Sequence, residues 1–87
     1  MTIATAQYTL GTARVMIAGP DDMAQRVTVH NNESSQQVFL GGSDVTTSNG
    51  IHLDGKEERQ ITLNPGESLY GVSTGAHAIS VMIQKQE

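Results

Sequence analysis

The chain has 87 residues and a formal net charge of −4, with only five Lys and Arg, no Cys and no Trp. That length holds one domain, and a chain this small buries only about 60 to 65% of the surface its unfolded form exposes, which leaves a thin margin of stability. Without thiols there is no disulfide staple; three scattered histidines, His30, His52 and His77, make a poor zinc site; and the acidic balance supplies no basic field for nucleic acid phosphates.

Symmetric self-association is then the simplest remaining source of buried area. No apolar run approaches the roughly 20 residues of a membrane span. The opening "MTIATAQYTLGTARV" lacks the basic and apolar regions of a signal peptide, so a product made in the cytoplasm with no membrane partner is expected.

Helical periodicity fails nearly everywhere, because apolar residues fall two apart between frequent Gly, Pro, Asn and Asp. Residues 1–10 are uncharged and carry no turn signal, which predicts either a first strand or an arm reaching onto another surface, ahead of a single β domain over 11–87. In "YTLGTARVMIA", Ala13, Val15 and Ile17 share a face. "GPDDM" then reads as a loop, with Asp21 and Asp22 as a solvated pair. "QRVTVHN" alternates Val27 and Val29 against Arg26, Thr28 and His30, and "NNESSQ" reads as a second loop. Asn32-Glu33-Ser34 fits a glycosylation acceptor in form, but without a leader it would not meet the transferase.

"QVFLG" sets Val38 and Leu40 inward. In "GGSDVTTSNG", Gly41 and Gly42 are expected to let the backbone turn sharply, Asp44 to accept backbone hydrogen bonds, and Asn49-Gly50 to restart the next strand. Ile51 and Leu53 share a face in "GIHLDG", and Asp54-Gly55 predicts a tight hairpin to the strand holding Ile61 and Leu63. The mixed cluster "KEER" reads as a solubilised edge. "NPGE" predicts a type II turn, with Pro65 fixing φ at its second position and Gly66 supplying positive φ at its third. "STGAH" leads into a last strand holding Ile79, Val81 and Ile83. Six to eight short strands predict an all-β fold, a small antiparallel β-sandwich or barrel.

Catalytic signals are weak. The three histidines are read as pointing outward, and no G-x-S-x-G nucleophile elbow occurs. Asp44, Asn49 and Asp54 do not match the spacing of a calcium loop, and the Gly-rich pieces lack the Lys-Ser/Thr of a phosphate loop. No enzyme activity, metal or cofactor is expected.

The order "VTVHNNESSQQVFLGGSDVTTSNGIHL", then "ITLNPGESLYGVS" and a final "AISVMIQ", resembles small β-rich structural proteins of tailed bacteriophage virions, over Val27 to Ile83. The resemblance implies a noncatalytic virion protein, foremost a capsid decoration protein that oligomerises, as a trimer, and cements the major capsid protein or another virion protein. It implies assembly in the host cytoplasm, with no nucleic acid partner. The alternative is a tail- or fibre-associated module for a host surface glycan or receptor, disfavoured because only Tyr8, Phe39 and Tyr70 could stack on a sugar. Candidate contact residues are Ile3, Tyr8 and Leu10 on the arm, with Asp44 and Asn49 in the loop.

Overall fold

The computed structural model describes residues 2–33 and 37–85. Among them the chain forms eight strands and no helix: β1 (Thr2–Leu10), β2 (Val15–Ala18), β3 (Gln25–Asn31), β4 (Val38–Gly41), β5 (Ile51–Leu53), β6 (Glu58–Leu63), β7 (Leu69–Ser73) and β8 (His77–Lys85). They make two four-stranded sheets, ordered β1-β8-β3-β6 and β2-β7-β4-β5, with every pairing antiparallel. Only β4 and β5 are consecutive and also paired; every other connection between consecutive strands carries the chain to the opposite sheet. Eight antiparallel strands in this order form a jelly roll, which confirms the all-β sandwich expected from the alternation.

The period-two pulses fill the space between the sheets. Val27, Val29, Val38, Leu40, Leu53, Leu63, Ile79 and Val81 are buried, joined by Leu10, Ile17, Ala18 and Leu69. Gln25 and Asn31 occupy the same face of β3 as its two valines and are also buried, one at each end. Each repays its desolvation with backbone bonds to a connection. The Gln25 amide donates to the Gly19 carbonyl at 2.9 Å, and the Asn31 amide to the carbonyls of Leu53 at 3.3 Å and Asp54 at 3.1 Å.

Several expectations are corrected by this topology. Asp54-Gly55 does not close a hairpin, because β5 pairs with β4 while β6 pairs with β3 in the other sheet. The segment is a corner between sheets, and Lys56, not Gly55, takes the positive φ of 64°. "NPGE" is a turn as expected: Gly66 has φ 86°, and the Glu67 N–H donates to the Asn64 carbonyl at 3.0 Å. "DGKE" and "NPGE" share a device that was not read from the sequence. In each, the glutamate at the fourth position accepts from the backbone N–H of the first, Glu57 from Asp54 and Glu67 from Asn64, both at 2.6 Å. The pattern is reciprocal in the manner of a capping box.

His77 does not point outward. It lies two residues before Ile79, shares the inward face of β8, and is 1% exposed, bonded through Nε2 to the side-chain oxygen of Asn31. Ala13 lies before β2 and is exposed, and a bulge in β2 turns both Ile17 and Ala18 inward. Ile51 pairs in phase with Leu53 but stands at the sheet edge and is 54% exposed. The loop expected over 31–36 falls partly outside the described residues, as does Ser34 of the acceptor pattern.

Candidate interaction surface

A sandwich of two open sheets has four edges, and each edge strand exposes backbone donors and acceptors to pairing with another chain. Three of the four are protected. β6 presents charged Glu58 and Arg59, β5 has three residues, and β2 has four with a bulge. β1 has none of these devices. Its sequence, TIATAQYTL, carries no charge, Pro or Gly, and it pairs with β8 over all nine residues without a break in register, from Thr2 opposite Lys85 to Leu10 opposite His77.

β1 also reaches beyond its cover. Tyr8 and Leu10 pack against the core, but Ala4 and Ala6, on the same inward face, are exposed. Its contact with the opposite sheet is chiefly with the five-residue β7, where Leu10 reaches over Gly71, too short a cover for the whole of a nine-residue strand. Half-buried Ile83, opposite Ala4, borders this exposed stretch of the inward face. On the outer face, Ile3 is 58% exposed.

The expected contact residues divide accordingly. Ile3 is available to a partner and Tyr8 partly so. Leu10 is not: at 0% exposure it is a core residue of the single chain, touching the space above Gly71. Asp44 and Asn49 are exposed in the 42–50 loop, where the loop is closed by its own bonds. The Asn49 side-chain oxygen accepts from the Thr46 N–H at 2.7 Å, and its amide donates to the Asp44 carbonyl at 3.3 Å. The loop thus rests on Asn49 rather than on the Asp44 carboxylate. Its glycines serve close packing: a Cβ on Gly41 would stand 2.9 Å from Val45 Cγ2, and one on Gly50 would stand 2.8 Å from the same methyl and 2.7 Å from Phe39 Cβ.

A shallow groove of about 390 Å³ crosses the outer face of the first sheet, lined by Thr5, Gln7, Thr28, His30, Ser80 and Met82 among others. His30 and Ser80 are cross-strand neighbours there. Their polar atoms meet through Asn32, whose side-chain oxygen lies 2.7 Å from His30 Nδ1 and whose amide donates to Ser80 Oγ at 2.8 Å. Serine and imidazole are therefore bridged by an amide, not joined as nucleophile and base. Among the described residues no group of three or more His, Cys, Asp or Glu side chains converges as metal ligands do. His52 Nε2 contacts the Asp54 carboxylate at 3.0 Å, and its ring lies 5.6 Å from that of Phe39.

At the opposite end of β8, Lys85 meets Asp21 at 2.8 Å. The Lys85 ammonium, with help from the Met23 N–H at 3.1 Å and against a small opposing effect of burial, holds the Asp21 carboxyl below its ordinary value of 3.8. The Gly66 N–H donates to the Asp21 carbonyl at 2.9 Å, so this residue ties two turns and the last strand together.

No protein-family model and no curated protein sequence matches the chain. Among solved structures, a chain from Bacillus endospore appendages, described as disulfide-linked pili, aligns over 99% of this chain and 87% of its own length, with a TM-score of 0.65 and 10% identity. PliG, a periplasmic inhibitor of g-type lysozyme from Aeromonas hydrophila, aligns over 98% of this chain and 85% of its own, with a TM-score of 0.49 and 15% identity. At such identities the likeness concerns the fold alone.

Proposed function

We propose that the protein is a noncatalytic structural component of a tailed bacteriophage virion, a decoration protein that self-associates and binds the head surface. The observation that carries a structural role is β1: a long, uncharged, unprotected edge strand on a thin sandwich, where a protein acting alone would place a charge, a bulge or a proline. Head attachment rests on the order of sequence words from Val27 to Ile83. Jelly rolls recur in viral capsid domains, which fits this reading by analogy of fold. The pilus chain, aligned over 99% of this chain, fits a fold used in assembly.

Strand addition at an edge supplies main-chain hydrogen bonds over the length of the strand, while alternate side chains set the register. Association also adds the buried area that a chain of 87 residues lacks. The test is a binding isotherm on purified heads that lack the protein. Saturable occupancy at a fixed ratio to capsid subunits is expected; no occupancy at any concentration overturns the assignment to the head.

A further inference from the structure

We infer that the free edge of β1 pairs with β1 of a second copy of this chain, antiparallel and centred on Ala6, to join the two β1-containing sheets into one sheet of eight strands. The inference deepens the structural role proposed above and rests on reading β1 as an association edge.

Register follows from three constraints. To keep both cores on the same side of the joined sheet, inward residues must oppose inward residues, so the paired numbers sum to an even value. Of the even sums, only 12 pairs all nine residues, Thr2 opposite Leu10 through to Leu10 opposite Thr2. That register sets Ala6 against Ala6, Ala4 against Tyr8, Thr5 against Gln7 and Ile3 against Thr9.

The third constraint is shape, and it is met independently. Each copy leaves Ala4 and Ala6 exposed on the inward face of β1, beside half-buried Ile83. The chosen register brings the second copy's Tyr8 directly opposite Ala4, so the part of the ring that its own core leaves uncovered meets a small, exposed side chain. On the outer face Ile3 gains a β-branched neighbour in Thr9.

Self-complementarity selects the second copy as occupant, since each strand supplies both the ring and the small residue opposite it, and charge permits the pairing along this edge. Two molecules of net charge −4 repel, and an interface between them is best placed where neither carries charge. β1 is an uncharged strand of nine residues, whereas β6, the other edge of the same sheet, brings Glu58 and Arg59. An antiparallel pair of identical strands closes on a twofold axis, so the unit formed is a dimer rather than the trimer implied by the resemblance.

The absence of Cys makes the register directly readable. Ala6→Cys places one thiol per copy at the axis, where cross-strand spacing suits a disulfide; Ile3→Cys places its thiol opposite Thr9. Under mild oxidation of the isolated full chain, Ala6→Cys is expected to give a covalent dimer and Ile3→Cys to remain monomeric. Ala6→Lys sets like charges face to face and is expected to weaken self-association, measured by sedimentation equilibrium, by about tenfold or more while leaving the far-UV spectrum unchanged. A chain that stays monomeric, equal cross-linking through both positions, or self-association unmoved by Ala6→Lys overturns the inference. Head binding measured in parallel reads out separately, so loss of self-pairing with head binding retained sinks the dimer and leaves the structural role standing.

Discussion

Asn31 concentrates more of the fold in one side chain than any apolar residue does. Fully buried at the end of β3, it serves the β5–β6 corner through two carbonyls, accepts from the Glu33 N–H at 3.2 Å, and holds His77 on β8. Removing it strands those groups away from water, so Asn31→Ala is expected to cost about 2 to 4 kcal/mol in urea unfolding, well above a surface substitution. Asp21 acts at the surface and with the opposite pH sense from a histidine. Its folded pKa lies below the ordinary 3.8, so the unfolded chain takes up the proton first. The stabilisation is complete above that value and is lost as pH falls through the lower folded one. Asp21→Asn is therefore expected to flatten the fall in urea midpoint as pH drops below about 4, leaving the neutral region less affected by pH in both proteins. An acid limb of unchanged slope would remove the Lys85 contact from the account.

At the level of the element, β1 divides into a core half and an exposed half, and the two should respond differently to the same change. Leu10→Ala opens a cavity against Ile17 and Gly71 and is expected to cost about 2 to 5 kcal/mol, whereas Ile3→Ala should stay within about 0.5 kcal/mol for the isolated chain. Urea titration of both variants at low concentration separates them. The division was only partly legible in the sequence. Val27 with Val29, Val38 with Leu40 and Ile79 with Val81 declare their strands because alternation is a local property of the pleat, and Pro65-Gly66 declares its turn because φ is local too. Pairing partners are not local. Asp54-Gly55 carries the same residues whether the chain doubles back within a sheet or steps to the opposite one, and nothing within four residues distinguishes the two. His77 was misplaced by counting it out of phase with the apolar residues beside it; its parity with Ile79 and Val81 was the available signal. For β1, composition marked an unusual uncharged segment, but the protection of the other three edges, which makes it unusual, appears only once the sheets are assembled.

Taken whole, the molecule measures 36 × 23 × 16 Å, with β1 and β8 as its two longest strands. The groove across its outer face is shallow and open to solvent, and exposed His52 stands on the other sheet. What it offers instead is length along one edge and a second sheet free to face another surface. Pairing through β1 would leave exposed Met16 and Ile51, both on the other sheet, available for contact with a shell. Imaging of the intact virion at a resolution that separates the sheets tests this arrangement most directly. Repeated jelly-roll modules on the outer surface of the head, seated by contacts of their own, are expected. Heads without such modules, in particles shown by composition to contain the protein, would contradict it.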